Sequence, residues 1–292
     1  MHGSPIKISF EFFPPKSDEG MKALQETANQ LRTAQPEFFS VTFGAGGSTR
    51  SGTYDTVQKL ITTGIPIAPH LAAVGLKRTE MIEILKSYQA LGIKRVVALR
   101  GDLPSGMGGQ SGELKYAYEL VQLIREATGD FFQIEVAAYP ECHPQAENVD
   151  KDIDNLMKKM QAGANSAITQ YFYNPDAYFF FRDACQKKGM SLSIIPGIMP
   201  ITNFSKLARF SDMCGAEIPR WIRRRLEALG DDTQAVQAFG LDVVHMLCER
   251  LIAGGAPGLH FYTLNHAEPS LALCQRSKET ESAWVNKRLR LG

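Results

Sequence analysis

The stretch Ile6-Lys-Ile-Ser-Phe-Glu-Phe-Phe-Pro-Pro15 decides how the rest of the chain is read. Side chains on a strand alternate between two faces, so Ile6, Ile8, Phe10 and Phe12 share one side, and Lys7, Ser9 and Glu11 the other. The apolar side calls for a layer of helices, while the second side carries a carboxylate to the strand's end. Pro14 and Pro15 stop the strand, because proline cannot donate to a sheet ladder. Glu11 is thereby fixed on rigid backbone, beside three phenylalanines, at a mouth. Apolar surroundings disfavour a charged carboxylate and raise its pKa, which suits a proton donor working near neutrality. The competing reading is a solvated or salt-bridged strand end.

Working outward, strand-like segments at residues 38–43, 65–70, 95–102, 133–139, 166–172, 192–196 and 258–264 alternate with amphipathic helical segments. The helices fall at residues 20–34, 54–63, 79–91, 114–128, 152–162, 176–188, 203–213, 221–229 and 233–253. Gly64, Gly92, Gly163 and Gly189 close helices just before the next strand, and one joint is used twice, in Leu91-Gly-Ile-Lys-Arg-Val-Val97 and Ala162-Gly-Ala-Asn-Ser-Ala-Ile168. Such alternation forces parallel pairing, since each return crossing is taken up by a helix. Eight units over 292 residues predict an α/β chain closed as a (β/α)8 TIM barrel, one domain over residues 1–292 with an extra helix before the eighth strand. The alternative is an open doubly wound sheet. That fold usually announces itself by a glycine fingerprint after the first strand, where this chain has Phe-Phe-Pro-Pro.

The composition excludes several classes. A net charge of +1 gives no electrostatic reason to expect nucleic acid or an acidic membrane as partner. The five cysteines include no CxxC pair, which fits reduced thiols in the cytoplasm. Strand-like sequence begins by Ile6, leaving no room for a signal peptide, and no apolar run approaches the roughly 20 residues of a membrane span.

In a barrel of this kind the working residues sit at the C-terminal ends of the strands. Those positions hold Glu11, Thr42, His70, Arg100 with Asp102, Tyr139 with His143, Gln170, and Thr263 to His266, while the strand bodies are Val, Ile, Ala and Phe. Their concentration at one rim points to an enzyme. Sharper motifs fail. Gly47-Ser-Thr-Arg-Ser-Gly-Thr53 has phosphate-loop spacing without its lysine, and Gly106-Met-Gly108 has no GxGxxG continuation. His70, His143, His260 and His266 show no zinc-binding spacing. Cys142 beside His143 is a weak nucleophile signal. The run Arg220-Trp-Ile-Arg-Arg-Arg225 reads as a solvated helix face, with an anion clamp as its rival. The aromatics from Phe172 to Phe181 read as core between barrel and helices, and Phe210 is a stacking surface if its helix borders the mouth.

Taken together, Phe10-Glu-Phe-Phe-Pro-Pro15, Ala68-Pro-His70, Val97-Ala-Leu-Arg-Gly-Asp-Leu-Pro104, Ala138-Tyr-Pro-Glu-Cys-His-Pro144, Ala162-Gly-Ala-Asn165 with Ile168-Thr-Gln170, Ile195-Pro-Gly-Ile198 and Phe261-Tyr-Thr-Leu-Asn265 closely resemble the bacterial methylenetetrahydrofolate reductases. The resemblance spans residues 6–267. It implies a flavoprotein barrel with FAD at its C-terminal mouth, reduced by NADH or NADPH. Methylenetetrahydrofolate then takes the same place and leaves as 5-methyltetrahydrofolate, feeding methionine synthesis, in ping-pong order. Glu11 matches the family's general acid, which protonates the folate's bridging nitrogen so that the ring opens to an iminium. Asp102 matches the carboxylate between flavin and pterin, Gln170 the amide that meets the folate, and Phe210 the aromatic that stacks on aminobenzoate or nicotinamide nucleotide. For FAD, the matching positions are Thr42, His70, Arg100, Gly101, Asp102, Tyr116, Ala117, Tyr139, His143, Asp152, Asn155, Lys158 and Lys159. Lys158 and Lys159 are expected to share a helix-face region suited to ribose and diphosphate.

Three positions depart from the enterobacterial pattern. His266 stands in place of an arginine and Lys206 in place of a glutamine, both at substrate-binding positions, and Lys158 replaces an arginine at the flavin diphosphate. Lysine and arginine differ at bidentate sites. The resemblance further implies a homo-oligomer, and at 292 residues the chain is too short for the adenosylmethionine-binding regulatory domain of the eukaryotic enzymes, so none is expected. The competing functions are a proline dehydrogenase-like flavoenzyme, a folate-dependent methyltransferase, and a catalytically silent flavin- or folate-binding barrel.

Overall fold

The computed structural model describes residues 6–43, 50–101 and 112–277, leaving aside the side chains of residues 50 and 51. Asp102 and the Gly106-Met-Gly108 loop lie outside the described residues, as do residues 47–49 of the glycine-rich stretch after the second strand.

The strands are β1 (Lys7–Phe12), β2 (Phe38–Val41), β3 (Ile67–Ala72), β4 (Arg95–Leu99), β5 (Gln133–Ala138), β6 (Ser166–Tyr171), β7 (Ser193–Ile198) and β8 (Gly258–Tyr262). They close in sequence order into one barrel, and every neighbouring pair is parallel. Around it stand α1 (Asp18–Leu31), α2 (Arg50–Ile61), α3 (Arg78–Ala90), α4 (Ala117–Thr128), α5 (Val149–Gln161) and α6 (Pro175–Lys187). Between β7 and β8 the chain inserts α7 (Phe204–Cys214), α8 (Arg220–Leu229) and α9 (Thr233–Ala253). Side chains that compete with the helical ladder begin the helices: Ser17 accepts from Gly20 N–H, Asn148 from Lys151 N–H, Asn203 from Lys206 N–H and Asp232 from Ala235 N–H.

The two faces of β1 do what their alternation requires. Ile8, Phe10 and Phe12 join the outer core with Leu24, Ala28 and Leu31 of α1, and the Phe12 ring meets Phe39 edge-on at 5.2 Å. Inside the barrel a smaller cluster of Phe38, Ala68, Val97 and Ile168 fills the centre. Below it, at the N-terminal end, Arg95 is paired with the fully buried Glu135 and, at 3.0 Å, with Glu37. The Ser166 hydroxyl donates to Glu135 as well. This plug leaves the opposite end for chemistry.

Most strand ends shift by a residue or two from the sequence expectation, and two of the differences bear on the site. β4 stops at Leu99, three residues short. β7 runs past Pro196 to Ile198, because the missing proline N–H is tolerated and Gly197 lets its neighbours come close. A Cβ there would lie 2.2 Å from Thr169 O and 2.7 Å from the Tyr262 ring.

Candidate active site

Glu11, near the C-terminal end of β1, turns into the barrel with its side chain 18% exposed. His70 from β3 places Nε2 at 3.3 Å from Glu11 Oε2. His260 from β8 places Nε2 at 3.5 Å from the same oxygen. Among the described residues neither Nε2 has a well-aligned hydrogen-bond partner, and both rings face the carboxylate. His260 is anchored from behind, with Nδ1 at 2.7 Å from Ser9 Oγ and its ring stacked on Phe38 at 5.9 Å.

This arrangement corrects the expected sign of the Glu11 pKa. Burial does push the carboxyl up, but the charge of His70, followed by contacts with His260, more than offsets it and holds the pKa down to about 2. The phenylalanines flanking Glu11 in sequence cannot report this, since they face the helices. Ser9, His260 and Tyr262 complete the inner wall, and the sequence reading assigned them no part in the site. Their signal was available in β8: Gly258, His260 and Tyr262 share one face of that strand. Tyr262 donates to Thr169 O at 2.6 Å, and burial among acidic and phenolic groups pushes its hydroxyl pKa well up.

A second group of expected residues gathers at the ends of β2 to β5. Thr42 follows β2, and its Oγ1 is buried with no hydrogen-bond partner among the described residues. Gly101 has φ +85°, and a Cβ there would lie 2.5 Å from Val74 Cγ1, so only glycine fits. Arg100 beside it donates to Gly101 O at 3.2 Å. Past β5, the Tyr139 and His143 rings meet edge-on at 4.5 Å, and His143 N–H donates to Asp152 Oδ2 at 2.8 Å. Burial raises the Asp152 pKa, against the pull of that N–H and of Lys159.

Lys159 donates to Ala137 O at 2.7 Å. Burial pushes its pKa down to about 8; Asp152 opposes that shift and Arg100 adds to it. Lys158 is exposed, with Nζ 5.9 Å from the Tyr118 ring. The two lysines therefore do not share a face, as adjacent positions on a helix point about 100° apart. Asn155 is exposed on the same helix. Tyr116, 52% exposed, stacks on Tyr118 at 5.6 Å where α4 begins, and Ala117 is buried behind it.

The third group lies on β6, α7 and the turn after β8. Gln170 is partly buried and accepts from Tyr171 N–H at 3.0 Å. Phe210 is partly buried on α7, and Lys206 is exposed one turn earlier. His266 is exposed just past β8. Among the described residues, no group of three or more His, Cys, Asp or Glu side chains could hold a metal ion, and no helix is long and apolar enough to cross a membrane.

A parallel barrel that collects protonable groups at the C-terminal ends of its strands defines an enzyme of the (β/α)8 class. The methylenetetrahydrofolate reductase family model matches residues 2–278. The chain is 40% identical over 270 residues to the 5,10-methylenetetrahydrofolate reductase of Escherichia coli K12, covering 92% of this chain and 90% of that one. It is 43% identical to the enzyme of the same name from Buchnera aphidicola subsp. Acyrthosiphon pisum, covering 92% and 91%. Its fold is shared with a Clostridium thermocellum protein described as binding two copies of 5-methyl-5,6,7,8-tetrahydrofolic acid. That structure superimposes with TM-score 0.69 at 18% identity over 95% of this chain and 96% of the other. The chain belongs to the methylenetetrahydrofolate reductase family and is an oxidoreductase.

Proposed function

We propose that the protein reduces 5,10-methylenetetrahydrofolate to 5-methyltetrahydrofolate in the cytoplasm, with FAD held at the barrel mouth and NADH or NADPH as hydride donor. The two substrates take turns at one place, and the methyl product feeds methionine synthesis. The observation that carries the reading is Glu11, a buried carboxylate aimed into the mouth between two imidazoles.

The residues present fit a dinucleotide. The Thr42 Oγ1 is a buried polar atom without a partner among the described residues. Gly101 lets the chain pack against Val74 and Ala72 and so fixes the path of the loop that carries Arg100, and Lys159 with Arg100 supplies positive charge for a diphosphate. Tyr139, His143, Asp152 and Asn155 border the same end, as do Tyr116, Ala117 and Lys158. When bound, the flavin supplies the hydride relay between nicotinamide and folate.

The chain's own work is proton delivery and positioning. Ionised in the free site, Glu11 works as a relay: Oε2 takes a proton from the imidazoles at 3.3 and 3.5 Å and passes it to the folate's bridging nitrogen. Gln170 presents donor and acceptor to the pterin, and Phe210 offers a ring for the aminobenzoate or the nicotinamide nucleotide. Asp102 is assigned the pterin-holding carboxylate. Lys206 and His266 border the folate tail, and the protein acts as a homo-oligomer, which light scattering tests.

The experiment is an absorbance spectrum of the purified protein, then anaerobic NADH, then methylenetetrahydrofolate. Bleaching of a flavin band by NADH and its return with the folate is the expected result. A colourless protein that gains no flavin spectrum on adding FAD overturns the reading and promotes a methyltransferase or a silent binder.

A further inference from the structure

Among the described residues, four non-glycine residues have positive φ, and two of them are consecutive: Leu264 at 51° and Asn265 at 60°. Left-handed backbone is costly for a residue with a Cβ, and least unusual for asparagine. A leucine held there calls for compensation from its surroundings.

The compensation lies at the seam where β8 meets β1, in register Glu11↔Tyr262. Thr263 Oγ1 donates to Glu11 O at 2.6 Å, and Asn265 N–H donates back to Thr263 Oγ1 at 3.0 Å. The turn then throws the Asn265 amide across the end of β1. Its Oδ1 accepts from Phe13 N–H at 3.0 Å and its Nδ2 donates to Phe13 O at 2.8 Å. The backbone of Asn265 is tied in turn to α1, through Thr27 Oγ1 at 3.2 Å. The side chain thus copies one more rung of a strand ladder where β8 itself has ended. It does so at the last residue of the β1 exit able to use it, because Pro14 and Pro15 have no N–H.

We propose that Asn265 is the positioning residue of the acid: its amide and the left-handed turn behind it hold the β1 exit rigid, and so set where the Glu11 carboxylate stands between His70 and His260. Without this rung, the Phe13 N–H and C=O turn to water and the backbone on the far side of Glu11 is free to drift. Proton transfer is sensitive to such drift, since a displacement of about 1 Å can cost about 10²-fold in rate.

The inference rests on the acid role given to Glu11 above. Its test separates the two. Asn265→Gly keeps the left-handed backbone available and removes only the amide. The folate half-reaction is expected to fall 10- to 100-fold, with the NADH half-reaction within twofold of wild type. The Glu11 carboxyl, followed by ¹³C NMR on the protein without ligands, is expected to titrate above its wild-type position. Thr263→Val is the second variant, should Asn265→Gly fold poorly, with the same expected pattern. An unmoved Glu11 titration with an unchanged folate step overturns the proposal, and so does an equal loss in both half-reactions. If wild type performs neither half-reaction, the functional reading fails instead, while the titration, which needs no cofactor, still decides whether Asn265 positions Glu11.

Discussion

His70 Nε2 stands 3.3 Å from Glu11 Oε2, although their strands never touch: β1 pairs with β2 and β8, and β3 with β2 and β4. The contact is made across the barrel's interior, over the shoulder of β2. It makes the carboxylate's charge a property of the closed barrel rather than of its own strand.

Replacing Glu11 by Gln preserves size and removes the exchangeable acid. Flavin reduction by NADH should continue at close to the wild-type rate. The folate half-reaction should fall by about 10²–10⁴, the usual contribution of a positioned general acid. Stopped-flow absorbance of each half-reaction checks the split, and equal losses in both would count against Glu11 as the acid.

The same carboxylate predicts an acid limb of stability. Its pKa is about 2 in the folded protein against an ordinary 4.5. The folded state therefore binds fewer protons in that window, and stability present above about pH 4.5 is lost as pH falls toward 2. Urea denaturation across this range should show a shallower fall for Glu11→Gln than for wild type.

Lys159 predicts the opposite end of the scale. With its pKa lowered to about 8, the free site loses this positive charge as pH rises past 8. A diphosphate bound beside it favours the charged form, so binding takes up a proton there. FAD affinity of the protein stripped of cofactor should weaken between pH 7 and 9, and Lys159→Met should flatten that dependence. Fluorescence titration reads both.

At the floor of the barrel, Glu135→Ala leaves Arg95 without its buried partner. Breaking a buried pair in this way costs about 3–5 kcal/mol. Removing both charges with Arg95→Leu and Glu135→Leu should recover part of that loss, as read from denaturation midpoints.

Gly197→Ala tests the close approach of β7 to its neighbours. A methyl 2.2 Å from Thr169 O has to push apart β6 and the Tyr262–Thr169 hydrogen bond. The expected loss is about 1–3 kcal/mol, and a variant as stable as wild type would show that β7 yields.

The alternation of strands and helices was legible because its periods are local, and the faces of β1 were legible for the same reason. That Glu11 carries a carboxylate to the inner face of the barrel could be read from ten residues. The sign of its pKa could not, because His70 and His260 arrive from β3 and β8. The two lysines of α5 illustrate a different limit. Adjacent positions were read as one face, although helical geometry already sets them apart. Pro196 suggested the end of β7, but a strand tolerates proline where its N–H is not needed, and the close packing of Gly197 was a tertiary fact. Asp102 lies outside the described residues, so its assignment rests on the family resemblance alone.

The Ser9–His260 contact joins residues 251 positions apart, and Thr263 reaches Glu11 across 252. During synthesis β1 leaves the ribosome first among the strands, and its partner β8 last. Until then β1 has one bare edge, which is open to pairing with other chains. Glu11 meanwhile faces solvent without His260 or the Thr263–Asn265 turn. Closing so distant a pair is a slow, late event in folding. The surroundings of Glu11 are therefore finished by the same step that removes the aggregation-prone edge, so a chain cut short before β8 gains neither the Glu11–His260 contact nor a sealed barrel.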